Sequence, residues 1–478
     1  MVFSSLMFLA YFLPFFYISY LFAKPKYKNL CIFLYSICFY AFGCFDTPYY
    51  ILILLLSLFV NYIIALKIEK NHSGYLLFLT IIYNFGILFV FKYFDFFMEV
   101  LGLVSGKESI TKLNLILPIG ISFYTFQLVS YVIDVYNKKI EAEKNFIDFG
   151  TYAIMFPQLI AGPIVRFTDI IKEVKANRNI NIKLVVDGFS VFVFGLTSKV
   201  FLANQLSMIA VDAKNYGIEN LSMLGTWLLG VGWTLQMYFD FFGYSLMAIG
   251  LGIMMGFTIP KNFDNPYLSR SIEEYWRRWH ITLNTWFRDY LLYPLLFSNP
   301  FRKLYNYFSK KINRKVATII VNIPATFIVW FASGLWHGAN FNFVIWGVYF
   351  FLFLTIEQIF ISQFLKKHKI ISHIYLVVVI TISFIIFFIE DLDLLKICLK
   401  NLFVYDGVLF SDAFKTMLIS NYKVLILSIL TVLLIPQKIY NRVKNNDYIR
   451  GMIIITLFAI DILFIYIGYN DPFLYFRF

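Results

Sequence analysis

The strongest constraint on the fold of this chain is a series of apolar stretches, each roughly 20 residues long, separated by short basic segments. Stretches such as Phe3–Phe22, Tyr50–Leu66 and Leu184–Ala203 have the length that a helix needs to cross a bilayer. Hydrophobic residues make up 60% of the chain and charged residues 14%, and the mean hydropathy is +0.73. The sequence therefore predicts an all-α polytopic membrane protein with about a dozen transmembrane and re-entrant helices.

The basic residues fall into short loops between the apolar stretches, which is the usual pattern of cytoplasmic loops. This pattern accounts for the net charge of +13 without a nucleic-acid partner, and it places the N-terminus outside the cytoplasm. The first stretch lacks a basic n-region and a small-residue cleavage site, so we interpret it as a membrane span and not as a removed signal peptide. The loops are Lys24–Lys28, Lys67–Lys70, Asn137–Lys144, Arg302–Lys315 and Lys438–Arg450.

Three segments do not fit a simple crossing helix. Phe146–Pro163 is apolar but contains prolines and lies between basic segments, which predicts a re-entrant segment covered by protein. Arg166–Lys183 is predicted to be a cytoplasmic surface helix. The glycine-rich Gly243–Gly256, which follows the span Leu221–Phe239, is predicted to be a separate short segment that crosses the membrane fully or only partly. No polar block is long enough for a soluble domain, so we predict a single membrane domain over residues 1–478.

One titratable side chain, His337, lies in the long apolar run Val329–Gly347. An ionisable group at lipid depth is costly, so it is a candidate for function. Gly334 and Gly338 flank the Trp336–His337 pair, and glycine permits a backbone break or a close approach. We therefore predict that two membrane helices meet at a break that carries the imidazole. The alternative is a structural histidine bonded to a neighbouring carbonyl group.

A second histidine lies in the unusual segment Ser271–Leu296. Aromatic residues such as Trp276 recur there at helical spacing, and His280, four residues after Trp276, falls on the aromatic side. Arg277 and Arg288 are eleven residues apart, which on one helix places them on a shared face. The alternative to a functional helix is an amphipathic helix that lies in the membrane interface with a snorkelling basic face.

The remaining patterns exclude several kinds of chemistry. Two histidines do not make a catalytic zinc site, and the sequence contains no HExxH, CxxC, GxSxG or Walker pattern. Asp134 and Asp240 are further ionisable candidates in apolar sequence, although Asp240 can equally be a buried hydrogen-bond partner. What remains is a neutral histidine in a dry pocket, which can take a proton from a hydroxyl group as its oxygen attacks an acyl carbon. Removal of a hydroxyl proton by a neutral base is the physical requirement of O-acyl transfer from a thioester.

Six stretches between Leu117 and the end of the sequence match the motifs of a known family. They are LPIGISFYTFQLVSYVIDVY (Leu117–Tyr136), MFPQLIAGPIVRF (Met155–Phe167), MYFDFFGYS (Met237–Ser245), NPYLSRSIEEYWRRWHITLNTWFRDYLLYPL (Asn265–Leu295), GLWHGANFNFVIWG (Gly334–Gly347) and the final PFLYFRF. In these motifs the chain resembles the membrane-bound O-acyltransferase (MBOAT) family, in its bacterial branch of alginate O-acetylases and peptidoglycan O-acetyltransferases. RRWHITL followed by WHGA is the most specific part of the resemblance.

The resemblance implies a ring of helices around a central tunnel, with a catalytic core at about 115–362 and C-terminal helices at about 363–478. It also implies that His337 is the catalytic histidine and His280 a second functional histidine, with acetyl-CoA as the acyl donor and no bound metal or cofactor. Arginine suits bidentate contact with the phosphates of CoA. Further candidates for holding the acyl donor or the substrate are Arg277, Arg278, Trp279, Trp336, Asp240 and Gln127.

The function implied is transfer of an acetyl group across the bacterial cytoplasmic (inner) membrane to a cell-envelope polysaccharide. The transfer is expected to be direct or to pass through a secreted or periplasmic SGNH-type O-acetyltransferase. Phe242 and Leu246 depart from the acetylase branches toward the branch that transfers D-alanine to teichoic acid, whereas the long C-terminal part from Gln363 favours the acetylases. The alternatives are D-alanyl transfer, a transporter or flippase for a lipid-linked glycan, and a scaffold subunit.

Overall fold

The computed structural model describes residues 2–106, 111–405 and 407–468. Within these ranges the regular secondary structure consists of helices, without strands, so the predicted all-α class is confirmed. Nine helices of the described part are long and apolar enough to cross a membrane, and Phe8–Phe22 is a shorter apolar helix. The last motif of the resemblance, PFLYFRF, lies outside the described residues.

The contacts within the chain divide it into two compact units. Unit 1 is Met1–Leu196 with Gly243–Lys261, and unit 2 is Thr197–Phe242 with Asn262–Phe478. The predicted single domain, and the predicted ring of helices around a tunnel, stay predictions. Unit 1 contains helices α1 (Phe8–Phe22), α2 (Lys28–Gly43), α3 (Tyr50–Asn71), α4 (Gly74–Ser105), α5 (Ile121–Tyr136), α6 (Phe146–Ile154), α7 (Phe156–Leu159) and α8 (Phe167–Lys175).

Two long helices, α9 (Ile182–Tyr216) and α10 (Met223–Met255), contribute residues to both units. Unit 2 continues with α11 (Ile272–Arg278), α12 (Ile281–Phe287), α13 (Tyr293–Phe297), α14 (Asn299–Lys311), α15 (Arg314–His337), α16 (Phe341–Lys367), α17 (Lys369–Phe388), α18 (Leu392–Asn401), α19 (Asp412–Val432), α20 (Ile435–Val443) and α21 (Asp447–Tyr466). Turns of π-helix occur at Phe8–Phe12, Phe89–Tyr93, Ser198–Ala203, Arg288–Leu292 and Glu357–Ile361, and short 3-10 turns at Pro25–Tyr27, Ile218–Asn220 and Pro266–Leu268.

The span Leu221–Phe239 and the glycine-rich segment Gly243–Gly256 form one continuous helix, α10, so the prediction of a separate short segment is wrong. One of its glycines, Gly250, is a point of close contact with another helix. A Cβ atom on Gly250 would lie 2.6 Å from the carbonyl oxygen of Gly188 on α9. Glycine at such a position allows two helix backbones to approach each other closely.

The predicted re-entrant segment consists of the two short helices α6 and α7, and residues 149–165 are all buried. Such burial is the protein cover that a re-entrant segment requires. The predicted surface helix Arg166–Lys183 is shorter than expected, because α8 ends at Lys175. Arg178 is buried, and its guanidinium donates hydrogen bonds to the Tyr20 hydroxyl (3.1 Å) and to the side-chain oxygen of Asn29 (2.6 Å).

The helices α15 and α16 form the break that was predicted around His337, which confirms that prediction. α15 ends at His337 and α16 begins at Phe341. The two helices approach so closely at Gly334 that a Cβ atom there would overlap the carbonyl oxygen of Phe343. Gly338 is needed for the same reason, since a Cβ atom there would overlap the ring of Phe343.

We expect Gly334→Ala to destabilise the protein, because the added methyl group must push α15 away from α16. Overpacking of this kind costs about 1–3 kcal/mol. The matched control is Gly86→Ala in α4, where a Cβ atom meets nothing within 4 Å and alanine is the better helix former. Thermal unfolding of both variants in the same detergent measures the difference, and equal midpoints would contradict the tight glycine contact.

Candidate active site

His337 is the last residue of α15, and its side chain lies in a cluster of aromatic rings. The centroid of its imidazole is 4.8 Å from the ring of Trp346, 5.2 Å from Phe387 and 5.1 Å from Trp336. The residue is 6% exposed. The surrounding rings therefore exclude bulk water from the imidazole.

The side-chain amide of Asn342 is hydrogen-bonded to the end of α17, the helix that contains Phe387. Asn342, in the first turn of α16, donates hydrogen bonds to the carbonyl oxygens of Ile386 (3.3 Å) and Phe387 (2.8 Å) at the end of α17. Carbonyl groups at the C-terminus of a helix have no partner within the helix, so the amide satisfies them. The start of α16 and the end of α17 are thereby held together next to His337.

The segment Ser271–Leu296 is not one helix, so the prediction that Arg277 and Arg288 share a helix face is wrong. α11 and α12 are separated by a break at which His280 has left-handed backbone angles, φ 45° and ψ 52°. This conformation is uncommon for a residue other than glycine, and it persists where the surrounding structure enforces it. His280 is therefore held in place by its tertiary contacts.

The side chain of Asn262 is hydrogen-bonded to the ring of His280. The Nδ1 atom of His280 is 3.1 Å from the side-chain oxygen of Asn262, which also accepts from the backbone N–H (3.3 Å) and the hydroxyl (2.9 Å) of Thr282. An amide oxygen only accepts hydrogen bonds, so Nδ1 carries the hydrogen of the neutral ring. The lone pair of the imidazole is then on Nε2.

The structure brings the two predicted histidines into one aromatic cluster. The ring of His280 is 6.0 Å from that of Trp336, which also contacts His337, and 4.6 Å from that of Phe241. His280 lies outside the candidate membrane-spanning helices. Burial, together with the smaller effect of nearby His337, holds the pKa of His280 well below its usual value. The His280 ring is therefore neutral at pH 7.

The candidates next to His280 divide into buried and accessible groups. Trp279 and Trp336 are buried, and Trp279 stacks on the ring of Tyr275 at 5.4 Å. Arg277 is exposed, and Arg278 is partly exposed with its guanidinium 2.7 Å from a carboxylate oxygen of Glu274. The guanidinium of Arg277 is thus accessible to a charged ligand.

Asp240 is paired with Lys199, a residue that the sequence analysis missed. The ammonium nitrogen of Lys199, in the π-helical turn of α9, is 2.7 Å from a carboxylate oxygen of Asp240 in α10, and the side chains are 4% and 1% exposed. The pair is in line with the interpretation of Asp240 as a buried partner. The signal for Lys199 was a single lysine within an apolar stretch, where a charge requires a partner.

The sequence analysis also missed Glu357, a buried acid of α16. Its carboxylate accepts hydrogen bonds from the backbone N–H groups of Ile272 (2.5 Å) and Glu273 (3.1 Å). These groups have no partner within their own helix, and a negative charge is favourable at a helix N-terminus. Glu357 therefore fixes the start of α11, the helix that ends just before His280.

The last two candidates, Gln127 and Asp134, lie on α5 in unit 1. Gln127 is fully buried, and its amide nitrogen and oxygen have no hydrogen-bond partner among the described residues. Asp134 pairs with Lys139, with 3.0 Å between the carboxylate oxygen and the ammonium nitrogen. In the part of the chain that the structure describes, no three His, Cys, Asp or Glu side chains are grouped so that they could hold a metal ion.

A sequence model of MBOAT, the membrane-bound O-acyltransferase family, matches residues 140–390. This range is more than half of the chain and contains His280, His337 and the Lys199–Asp240 pair. The chain belongs to the membrane-bound O-acyltransferase family. The family resemblance predicted from the motifs is confirmed, and with it the predicted class of enzyme, an O-acyltransferase, and the predicted multi-pass membrane protein.

Three named relatives show which members of the family this MBOAT chain is similar to. It is 38% identical over 366 residues to the probable alginate O-acetylase of Pseudomonas aeruginosa, covering 75% of this chain and 66%, just under two thirds, of that protein. It is 28% identical over 541 aligned positions to the peptidoglycan O-acetyltransferase of Helicobacter pylori, covering 100% and 98%. It is 29% identical over 286 residues to the teichoic acid D-alanyltransferase of Bacillus subtilis, covering 57% and 68%.

We expect Lys199→Met alone, or Asp240→Asn alone, to lower the free energy of unfolding by roughly 3–5 kcal/mol, because either change leaves one buried charge without its partner. The double variant removes both charges, and its free energy of unfolding is expected to be much closer to that of the wild type. Thermal unfolding of the four proteins gives the coupling energy. A double variant whose loss equals the sum of the two single losses would show that the pair is not coupled.

We expect Asn262→Leu to reduce acyl transfer, because His280 loses the acceptor that orients its ring. The expected loss is about 10–100-fold, as for partners that orient metal-bound histidines, and it should fall on kcat. Asn262→Asp keeps acceptor oxygens at the same position and is the matched control, with activity closer to the wild type. Equal activity of both variants, at unchanged unfolding temperature, would rule out an orienting role.

Proposed function

We propose that this protein transfers an acetyl group from cytoplasmic acetyl-CoA to hydroxyl groups of a cell-envelope polysaccharide, directly or through a secreted or periplasmic SGNH-type O-acetyltransferase. The observation that carries the proposal is the buried imidazole of His337, in one aromatic cluster with His280 and within the range that matches the family. The names of the alginate and peptidoglycan relatives support acetyl as the transferred group.

His337 is the proposed general base. Its ring takes the proton of the acceptor hydroxyl as the hydroxyl oxygen attacks the carbonyl carbon of the thioester. The carbon–sulfur bond then breaks, and the imidazolium returns the proton to the departing sulfur of CoA. The aromatic rings around His337 keep water away from the thioester, which limits hydrolysis.

His280 is proposed to orient one of the reactants. Because Asn262 engages the Nδ1 hydrogen, Nε2 is the nitrogen that accepts a hydrogen bond. A neutral ring with this tautomer suits a hydroxyl or amide N–H group of the acceptor or of the acyl donor. Since the Asn262 contact fixes the tautomer, we assign His280 a positioning role and His337 the proton transfer.

Donor and acceptor must meet at a protein-lined passage, because a charged CoA molecule does not cross the hydrocarbon core. We propose that the protein lies in the bacterial cytoplasmic membrane with its N-terminus outside, as the basic loops favour. The accessible Arg277 and Arg278 are proposed to contact the phosphates of CoA, since guanidinium groups make bidentate contacts with phosphate. The remaining candidates for contact with donor or acceptor are Trp279, Trp336, Asp240 and Gln127.

Transfer of D-alanine to teichoic acid is the second candidate function. Phe242 and Leu246 are the residues that favour it, and the 29% identity with the teichoic acid D-alanyltransferase of Bacillus subtilis supports it. The two candidates share the acyl-transfer step and differ in the donor. Membership of the acyltransferase family favours both over a transporter or a scaffold subunit.

We expect His337→Ala to lower acetyl transfer by about 10²–10⁴-fold, the usual contribution of general-base catalysis. His280→Ala is expected to lower it less. The matched control is His368→Ala, which removes an exposed histidine after α16 and is expected to leave turnover unchanged. The assay uses the purified full-length protein in lipid nanodiscs with labelled acetyl-CoA and an isolated envelope polysaccharide, with and without an SGNH-type transferase.

Undiminished turnover in folded His337→Ala protein would refute the proposal. Transfer from a D-alanyl carrier protein, with no transfer from acetyl-CoA, would select the second candidate function instead.

A further inference from the structure

A cavity of about 360 Å³ lies in unit 2, between the last turns of α9, the end of α17, the start of α18 and the part of α10 around Trp233 and Gln236. Its walls come from all four helices. The lining residues used below are Lys214, Trp233, Gln236, Phe388, Glu390 and Asp391.

The loop charges place this cavity at the outer side of the membrane. α9 follows the basic segment Arg166–Lys183, and α17 begins at Lys369, directly after Lys366 and Lys367. Because basic loops lie in the cytoplasm, both helices begin inside and end outside. The cavity, at their far ends, therefore faces the compartment that contains cell-envelope polysaccharides.

The inner part of the cavity combines an aromatic wall with available hydrogen-bonding groups. The rings of Trp233 and Phe388 are stacked, with centroids 5.2 Å apart and planes inclined by 24°. Trp233 is 6% and Gln236 5% exposed, and both side chains line the cavity. The indole N–H of Trp233 and the side-chain amide of Gln236 therefore border the cavity, where they can form hydrogen bonds with a polar ligand.

The rim of the cavity is acidic. Glu390 and Asp391 are exposed carboxylates, and Lys214 is the exposed ammonium that faces the same cavity. Within the described ranges none of the three forms an ion pair. Asp391 accepts hydrogen bonds from the backbone N–H groups of Asp393 (2.9 Å) and Leu394 (2.8 Å), and a helix N-terminus favours a negative charge. Because two carboxylates outnumber one ammonium group, the rim carries a net negative charge that repels a polyanion.

The same helices connect the cavity to the histidines. Phe388 lines the cavity, and the preceding residue, Phe387, contacts the ring of His337 at 5.2 Å. On α10, Gln236 lines the cavity, and Phe241, five residues further on, contacts the ring of His280 at 4.6 Å. A ligand in the cavity is thus bound by the neighbours of the residues that enclose both imidazoles.

We propose that this cavity binds the acceptor and selects uncharged sugar rings, such as N-acetylhexosamines, over uronates. The apolar C–H face of a sugar packs on the Trp233 indole, and its hydroxyl or acetamido groups bond to the Gln236 amide. The acidic rim repels a chain with a carboxylate on every ring. This inference rests on the proposed function, because it assigns the acceptor of that reaction.

The test is isothermal titration calorimetry on the full-length protein in lipid nanodiscs, which avoids the sugar headgroups of maltoside detergents. The probes are the β-1,4-linked tetramer of N-acetylglucosamine and tetragalacturonate. We expect the uncharged tetramer to bind at least about tenfold more tightly, and Trp233→Leu or Gln236→Leu to weaken it by about tenfold or more. The matched control is Trp227→Leu on α10, whose indole donates to the carbonyl oxygen of Leu402 outside the cavity.

The charge selection is tested with Glu390→Gln combined with Asp391→Asn, which is expected to narrow the difference between the two tetramers. Tighter or equal binding of tetragalacturonate by the wild type would overturn the proposal. Equal weakening by Trp233→Leu and Trp227→Leu would also overturn it, as would binding of an SGNH-type transferase to the cavity with no binding of either sugar.

His337→Ala is expected to bind the uncharged tetramer like the wild type. If the His337→Ala variant binds the uncharged tetramer and also transfers acetyl groups at the full rate, only the proposed function is refuted. If acetyl transfer depends on His337 but the wild type binds neither sugar, only the acceptor assignment is refuted.

Discussion

The packing of aromatic rings around the His337 imidazole is the interaction on which the candidate site depends. It requires α15, α16 and α17 to meet at one point. The glycine contact at Gly334 lets α15 approach α16, and the Asn342 amide ties α16 to the last carbonyl groups of α17. These two contacts hold together the helices that carry His337, Trp346 and Phe387, whose rings meet. The environment of this imidazole is therefore determined by the packing of three helices.

His280 is held by polar contacts instead. The carboxylate of Glu357 accepts a hydrogen bond from the first turn of α11, the helix before His280, and the His280 ring is hydrogen-bonded to Asn262. These contacts stabilise a left-handed backbone that would otherwise be unfavourable. One histidine is thus placed by apolar packing and the other by hydrogen bonds, and both meet the ring of Trp336. This division suits a proton acceptor in a dry environment beside a ring with a fixed tautomer.

The local sequence predicts the break at His337, because glycine next to a polar residue in an apolar run marks it within a few positions. The break at His280 is not visible in this way, since the aromatic spacing continues across it and the stabilising contact comes from Asn262, distant in sequence. The partners of Lys199 and Glu357 are still more distant in sequence. The glycine-rich segment Gly243–Gly256 was predicted to be separate from the preceding span, although it continues the same helix and Gly250 makes a close helix contact. Hydropathy therefore gave the fold class and the spans, and tertiary contacts decided the rest.

The Lys199–Asp240 pair has a consequence for a protein in any membrane that carries an electrical potential. A lone buried charge that moves across the membrane field gains or loses about 2.3 kcal/mol per 100 mV. Here opposite charges lie 2.7 Å apart, so the forces that the field exerts on them nearly cancel. The protein keeps a strongly polar group close to the rings around His280 without making their arrangement sensitive to voltage.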